Sequence, residues 1–372
     1  MIILTVLLAL AYLILLLYYL TGWLKLKVFI PEINVQFQKL SILIPARNEE
    51  NNIANLLKDI AKQDFPKELF EVLILNDHSE DQTAIIVEEI LRNSEFSNFS
   101  FISLPNSLSG KKAAISLGVE QSKNEWIVCT DADCSMNSNW LNTITSFIEK
   151  EKPEFISSPV LFYEEGTLFE KMQSLEFLSL IGIGASTISH NKPTMCNGAN
   201  MAFSKKAFHE VGGYAGNENI ASGDDEFLMH KIAAKYAGAV KFLKSEEAIV
   251  RTHAKKTVNE FWKQRKRWVS KSGRSKSMIE QLMQFFVWIF HLAILSSFVS
   301  AFFIPNFWSF FVILYFVKIL SELVFVIPLS VFFSKQKFLA YYIISAILYP
   351  FYVVLIALAG IFGKNYWKGR RI

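Results

Sequence analysis

The sequence contains few cysteines and few charged residues for its length. Only three of the 372 residues are cysteines, and they form no CxxC pair, which argues against a disulfide scaffold or a zinc site. Charged residues make up 19%, whereas an ordinary soluble domain carries about 25%. The net charge of +4 is too small by itself to indicate nucleic-acid binding, so we expect no nucleic-acid partner.

Hydrophobic residues are concentrated at the two ends of the chain. Residues 1–20 carry no charge and are long enough to cross a bilayer core of about 30 Å. A cleaved signal peptide is the alternative, but no Lys or Arg precedes the run and no small-residue cleavage site follows it. We therefore expect residues 1–24 to be a transmembrane anchor. Lys25 and Lys27 follow it and would place the middle of the chain in the cytoplasm, at a bacterial inner membrane.

The C-terminal region, residues 281–363, predicts two or three further spans. The apolar segments lie at 284–304, 307–333 and 339–362. Three spans would leave the basic tail, residues 364–372, on the outside, against the positive-inside preference, so one segment could instead be re-entrant or interfacial. Lys318 and Glu322 lie four residues apart within the second segment, and we expect them to face protein and pair with each other.

Residues 38–250 predict one α/β domain. Apolar strand candidates at 40–45, 70–75, 99–104 and 125–130 alternate with helical patterns. Continuous apolar runs are typical of strands covered by helices on both faces, and this order favours a doubly wound parallel sheet. Ligands of such sheets bind at the carboxyl ends of the strands, so the polar residues that follow each strand are the candidates for a site. No GxGxxG follows the first strand, which argues against a nicotinamide-binding enzyme.

Three of these strands end in polar segments, which are PARNEE at 45–50, NDHSED at 76–81 and TDAD at 130–133. The first runs into a helix, whose free N–H groups can bind a ligand. In the second, a carboxylate can hold a base or ribose, or can cap the next helix. In the third, two carboxylates can reach one Mg²⁺ or Mn²⁺, or can be solvated in a turn.

Two later segments also carry candidate residues. Asp224, Asp225 and Glu226 are consecutive acids, which either serve a cation or a proton-accepting role or are favoured by a helix dipole. Residues 251–280 form a basic segment, which we expect to be an interfacial helix against anionic lipid or facing an anionic substrate. On that helix Gln264, Arg267 and Trp268 share one face.

Taken in order, these segments resemble the family 2 glycosyltransferases, inverting enzymes with the GT-A fold. The matching motifs are PARNEE, NDHSED, GKKAA at 110–114, DAD at 131–133, NGANMAF at 197–203, GDDEFL at 223–228 and QRKRW at 264–268. The resemblance covers residues 38–272 and implies a GT-A domain flanked by transmembrane helices, as in the integral-membrane branch. Asn76 stands where the family usually has Asp, and Asp224 stands where it commonly has Glu.

The resemblance also implies roles for individual residues. Donor-binding residues would be Pro45, Arg47, Glu49, Asp77, Lys111, Lys112 and Asp131. Asp77 would contact the base, and Asp131 and Asp133 would bind Mg²⁺ or Mn²⁺, with Asp133 the more direct ligand. Asp225 would be the general base, with Asp224 as the alternative. Gln264, Arg267 and Trp268 match the QxxRW motif of cellulose, chitin and hyaluronan synthases and of ceramide glucosyltransferase.

The resemblance predicts a membrane glycosyltransferase that uses a nucleotide sugar, with UDP favoured by family habit, and a lipid or membrane-glycan acceptor. A processive polysaccharide synthase is the alternative within enzymes, although four spans are few for one. A catalytically inactive scaffold is the alternative outside them. A transporter or channel would need its polar residues inside the spans, whereas most lie at 38–276. The sequence leaves the oligomeric state open.

Overall fold

The computed structural model describes residues 2–31, 37–216, 223–272, 278–362, 366–367 and 370–371. The chain divides into two compact units. Lys25–Glu164 and Thr187–His253 form one, which we call the α/β unit. Met1–Leu24, Glu165–Ser186 and Ala254–Ile372 form the other, which we call the helical unit. The predicted basic tail at 364–372 lies largely outside the described residues.

The helices and strands follow the chain in this order: α1 (Ile2–Lys25), β1 (Leu40–Ala46), α2 (Ile53–Ala61), β2 (Phe70–Asn76), α3 (Thr83–Leu91), β3 (Phe99–Ser103), α4 (Lys111–Gln121), β4 (Trp126–Cys129), α5 (Trp140–Glu151), β5 (Phe155–Ser157), β6 (Val160–Tyr163), α6 (Leu168–Ser189), β7 (Met201–Ser204), α7 (Lys205–Glu210), α8 (Asp224–Lys235), β8 (Val240–Phe242), β9 (Val250–His253), α9 (Val258–Ser272), α10 (Met278–Ala301), α11 (Phe307–Phe332), α12 (Tyr342–Phe362), β10 (Tyr366–Trp367) and β11 (Arg370–Arg371). The four strands predicted from apolar runs are all present.

The main sheet of the α/β unit has seven strands in the order β3-β2-β1-β4-β7-β5-β8. The first four are parallel, as predicted. The prediction of a parallel sheet fails at β7, which runs antiparallel to both β4 and β5, so the sheet is mixed. A second, parallel pair joins β6 to β9. The predicted α/β class is thereby confirmed.

Close packing of α4 on the sheet positions the residues at the start of that helix. A Cβ atom at Gly118 would lie 2.7 Å from Leu75 and 2.9 Å from Leu43, so only glycine allows this approach to β1 and β2. Gly110, with φ of 90°, precedes the helix in a conformation that other residues rarely adopt. Lys111 therefore begins α4 beside the carboxyl ends of the parallel strands.

Among the described residues, four helices are long and apolar enough to cross a bilayer: Ile2–Lys25, Met278–Ala301, Phe307–Phe332 and Gln336–Gly360. The predicted pair inside α11 is present, with the Lys318 ammonium 2.7 Å from the Glu322 carboxylate. The hydroxyls of Tyr12 and Tyr342 also donate to Glu322, at 2.7 and 2.9 Å. Buried charges are tolerated when they are paired and hydrogen-bonded in this way, so the cluster joins α1, α11 and α12.

Candidate active site

The carboxyl ends of β1, β2 and β4 lie at one edge of the sheet. Register pairs Ala46 with Asn76, and the Thr130 amide donates to the Leu43 carbonyl at 3.2 Å. Arg47 and Asp77 immediately follow β1 and β2, and Asp131 lies two residues after the end of β4. This edge forms the centre of the candidate site.

Asp77 connects the end of β2 to the start of α4. Its side chain is buried, and Oδ2 accepts a hydrogen bond from the Gly110 amide at 3.0 Å. The following residue, His78, has a left-handed backbone with φ of 53°, and its ring nitrogen Nε2 lies 2.9 Å from the Leu108 carbonyl. The Asp77 carboxylate is thus fixed at the sheet edge.

Arg47 holds the loop that follows β2. Its guanidinium donates to the carbonyls of Asp77 and His78 at 2.7 and 2.8 Å, and to the Glu80 carboxylate at 2.8 Å. The Arg47 residue is only 5% exposed. These contacts commit much of the guanidinium to protein groups, so the structure places Arg47 behind Asp77 as a support for the loop.

Pro45 and Glu49 also belong to the framework of this edge. Pro45 lies within β1, opposite Leu75 of β2. The Glu49 amide donates to the Thr83 hydroxyl at 2.7 Å, and the Glu49 carboxylate accepts from the Asn52 side chain at 2.9 Å. Both residues therefore shape the segment that connects β1 to α2.

Lys111 lies between two carboxylates that come from different parts of the chain. Its Nζ atom is 2.6 Å from Asp131 Oδ1, after β4, and 3.7 Å from Asp224 Oδ2, at the start of α8. Burial alone would lower the pKa of Lys111, but the charges of Asp131 and Asp224 raise it above the ordinary lysine value. The lysine is therefore a permanent cation at the sheet edge. Its neighbour Lys112 lies over the Phe227 ring, 5.0 Å from the centroid.

Asp225 lies beside this cluster, at the start of α8. Its Oδ2 accepts from the Gly198 amide at 2.9 Å, and its Oδ1 accepts from the Glu226 amide at 2.9 Å. A Cβ atom at Gly198 would lie 3.0 Å from Lys111 Nζ and 3.4 Å from Asp225 Cβ. Glycine therefore allows the NGANMAF segment to pass close to the lysine and the aspartate, where a larger residue would make tight contacts.

Asp133 is the carboxylate of the DAD segment that could hold a divalent cation. It accepts a weak hydrogen bond from the Cys134 thiol, at 3.8 Å, and forms no ion pair within the part of the chain that the structure describes. Burial, followed by the charge of Asp133, raises the pKa of that thiol, so it remains a protonated donor. Mg²⁺ and Mn²⁺ commonly use one or two carboxylates together with substrate phosphates. Asp133 fits such a site, although no group of three potential ligands is assembled among the described residues.

The three residues of the QxxRW segment lie on α9, which belongs to the helical unit. Gln264 Oε1 accepts from the Arg265 guanidinium at 2.9 Å. The Trp268 ring packs 4.2 Å from the Arg265 guanidinium and stacks on Phe177, with ring centroids 6.1 Å apart. The Arg267 carbonyl accepts from the Ser270 hydroxyl at 2.9 Å.

Two residues that make close or buried contacts in the structure, Gly198 and Arg265, were not singled out from the sequence. Gly198 was quoted only as part of the NGANMAF motif, where it directly follows Asn197. Arg265 was counted as one of many cations in the basic segment, yet it is only 2% exposed. A single sequence offers no pattern that distinguishes a buried arginine from its exposed neighbours.

Comparison with known proteins relates this chain to glycosyltransferases. Residues 41–212 match the family model described as glycosyl transferase family 2. The poly-beta-1,6-N-acetyl-D-glucosamine synthase of Staphylococcus epidermidis is 25% identical over 240 residues, which is 63% of this chain and 54% of that protein. The poly(ribitol-phosphate) beta-N-acetylglucosaminyltransferase TarS of Staphylococcus aureus is 33% identical over 118 residues, 32% of this chain and 20% of that protein. The chain thus spans about half the length of the synthase.

A solved structure shares the fold along nearly the whole chain. It is the mannosyltransferase PcManGT from Pyrobaculum calidifontis in complex with GDP-Man and Mn²⁺. The match has a TM-score of 0.58 and 16% identity, and covers 93% of this chain and 94% of that one. This likeness confirms the fold.

Proposed function

Because the chain carries a family 2 glycosyltransferase domain, we propose that it is a membrane enzyme that transfers a sugar from a nucleotide-sugar donor to a hydroxyl group of a lipid or membrane-bound glycan. The observation that carries the proposal is the group of Lys111, Asp131, Asp224 and Asp225 beside Asp77, at the carboxyl edge of the sheet. Ligands of α/β sheets bind at such an edge.

The proposed donor site follows from the fixed groups at this edge. The Asp77 carboxylate is suited to accept hydrogen bonds from a nucleotide base, and Lys111 and Lys112 supply positive charge for a diphosphate. Relatives named as N-acetylglucosamine enzymes favour N-acetylglucosamine as the sugar, and the family resemblance favours UDP as the nucleotide. Arg47, Pro45 and Glu49 would support this donor site through the loops they hold.

Asp133 would hold a Mg²⁺ or Mn²⁺ ion. Asp131 is the second candidate ligand, but its carboxylate is engaged by Lys111. When bound, the ion would neutralise the diphosphate and stabilise it as a leaving group. A protein with the same fold is known in complex with GDP-Man and Mn²⁺, and that complex supports the choice of a divalent cation.

Asp225 is the proposed general base. Its carboxylate would take the proton of the acceptor hydroxyl while that oxygen attacks the anomeric carbon from the face opposite the diphosphate. The bond between the anomeric carbon and the diphosphate oxygen breaks, the electron pair leaves with the diphosphate, and the configuration inverts. Asp224 is less suited to the role, because its side chain is buried and its carboxylate lies 3.7 Å from the Lys111 ammonium, so it is less accessible to an acceptor hydroxyl.

The helical unit would keep the enzyme at the membrane. Lys25 and Lys27 favour an α/β unit on the cytoplasmic side, facing soluble nucleotide sugars. Gln264, Arg267 and Trp268 are proposed to take part in transfer on the strength of the motif resemblance. A lipid or membrane-bound glycan acceptor is consistent with four candidate spans.

A polysaccharide synthase that adds many sugars is a second candidate. The synthase name carried by a relative over 240 aligned residues favours it. Product length distinguishes the two, because a single-addition enzyme gives one labelled species and a synthase gives a ladder. An inactive scaffold is disfavoured by the intact carboxylates Asp131, Asp133 and Asp225.

The test is release of nucleoside diphosphate from a panel of UDP- and GDP-sugars by membranes that contain the full chain. We expect release from one donor, with Mn²⁺ or Mg²⁺ present, and loss of release on chelation. The matched control is the Asp225→Asn protein in the same membranes. No release from any donor with native lipids present would contradict the proposal.

A further inference from the structure

A buried ion pair lies inside the helical unit, next to the QxxRW segment. The Arg265 guanidinium donates to the Glu176 carboxylate of α6 through Nε, at 3.0 Å, and through Nη2, at 2.7 Å. Arg265 is 2% exposed and the Glu176 side chain is 12% exposed. A pair with this bidentate geometry is directional, and breaking one side of it leaves a buried charge without compensation.

The same guanidinium is enclosed by aromatic rings of its own helix. The centroid of Phe261 lies 4.7 Å from the guanidinium carbon and the centroid of Trp268 lies 4.2 Å from it. The Trp268 ring also stacks on Phe177, which comes from α6 next to Glu176. One residue thereby fixes the position of the motif tryptophan and joins two helices.

Arg265 also determines the orientation of the Gln264 amide. Its Nη1 donates to Gln264 Oε1 at 2.9 Å. Because arginine can only donate hydrogen bonds, the amide atom that faces it must be the oxygen. The Gln264 NH₂ group therefore points away from Arg265.

We propose that Arg265, held by Glu176, is a positioning residue that orients the motif residues Gln264 and Trp268, and that transfer depends on this orientation. The functional part of this inference rests on the proposed transferase function. The positional part does not, because it concerns contacts that exist without substrate. Each part therefore needs its own readout.

The first readout is the orientation of Trp268, measured without turnover. The full chain is labelled with 5-fluorotryptophan in detergent or nanodiscs, and its ¹⁹F resonance is assigned with Trp268→Phe. We expect one sharp resonance in the wild type, shifted or broadened in Arg265→Lys, which keeps the charge but loses the planar, bidentate geometry. The matched control is Lys263→Met, which removes a cation from an exposed position of the same helix and should leave the resonance unchanged. An unchanged resonance in Arg265→Lys would overturn the inference.

The second readout separates positioning from stability. Arg265→Met should lower both the melting temperature and kcat, because it leaves Glu176 buried and unpaired. Adding Glu176→Met removes that charge, so the double variant should regain most of the melting temperature while kcat stays lower by at least ~10-fold and donor KM changes less than ~3-fold. Donor KM should be little affected, because Asp77 and Lys111 are untouched. Wild-type kcat in the double variant would show a purely structural role and overturn the inference.

The two proposals fail in different ways. A wild-type protein that releases nucleoside diphosphate from no donor contradicts the transferase function, while the fluorine spectra still decide whether Arg265 orients Trp268. An active wild type with unchanged spectra in Arg265→Lys contradicts the positioning role alone.

Discussion

Replacing Lys111 with methionine should destabilise the α/β unit, because the lysine neutralises two carboxylates at once. Its Nζ atom is 2.6 Å from Asp131 and 3.7 Å from Asp224. Methionine keeps most of the volume of the side chain and removes only the charge. The variant would remove the Lys111 charge from the Asp224 carboxylate, which is 10% exposed.

The size of the expected loss of stability is calculated from the contact with Asp224, which is the less exposed of the two carboxylates. Unit charges 3.7 Å apart interact by about 4.5 kcal/mol at an effective dielectric constant of 20. The Asp131 side chain is 38% exposed, so water screens its share and we leave it out. Removing one partner of a buried pair costs roughly 3–5 kcal/mol, and we expect the lower end. For a domain of roughly 200 residues, a loss of ~3 kcal/mol lowers the melting temperature by roughly 6–12 °C.

The assay is thermal unfolding in detergent, followed by intrinsic fluorescence, with Lys112→Met as the matched control. Lys112 lies over an aromatic ring, so its loss should cost no more than ~1 kcal/mol. Because the carboxylates raise the pKa of Lys111, its stabilising effect is complete below the ordinary lysine pKa of ~10.4 and is lost only above it. The difference between wild type and variant should therefore be constant from pH 7 to 9. On the scale of ~2–4 °C per kcal/mol, a change of less than ~2 °C corresponds to at most ~1 kcal/mol. A Lys111→Met protein that melts within ~2 °C of the wild type would therefore refute this reasoning.

Three further predictions concern the α/β unit. Asp133→Asn should raise the Mn²⁺ concentration for half-maximal transfer by at least ~10-fold, because losing even a residue that only hydrogen-bonds to a metal ligand typically costs that much affinity. An unchanged Mn²⁺ titration would count against Asp133 as a ligand. Gly198→Ala should lower kcat by roughly 10-fold, which corresponds to an activation free energy higher by ~1.4 kcal/mol, because the new methyl group contacts Lys111 and Asp225 tightly. A wild-type kcat would contradict a functional effect of these contacts. Burial lowers the pKa of Lys244 to about 8, so the folded protein loses this proton at a lower pH than the unfolded chain does. The free energy of unfolding should therefore rise by roughly 1.5 kcal/mol from pH 8 to 9.5. In melting experiments, Lys244→Met should abolish this rise.

The parallel half of the fold could be predicted because its signal is local. β1 and β2 are buried almost throughout. Their sequences are apolar runs and lack the alternation of polar and apolar residues that is typical of a strand with one face exposed to solvent. β5, β7 and β8 are only three or four residues long, too short for a periodic pattern, and β7 enters the sheet after the long helix α6. Its antiparallel direction depends on tertiary packing that sequence spacing does not encode.

The candidate site shows the same division between local and long-range information. Asp77 and Asp131 could be placed at one edge because each comes shortly after a buried strand. The bridge from Asp131 through Lys111 to Asp224 spans distant parts of the chain, so no local pattern predicts it. Arg47 was expected at the donor, and in the structure its guanidinium donates to two protein carbonyls. A cation after a strand has the same sequence signal whether it binds a ligand or supports a loop, so the sequence alone does not predict these contacts.

The most direct test of the account compares sugar transfer by Asp225→Asn and Asp224→Asn with wild type, together with donor binding and the configuration of the product. We expect Asp225→Asn to bind donor normally but to transfer ~10²–10⁴-fold more slowly, because one general base is lost. We also expect an inverted anomeric configuration in the wild-type product. Wild-type transfer by Asp225→Asn, or a product with retained configuration, would contradict the assignment of Asp225 as the base of an inverting transfer.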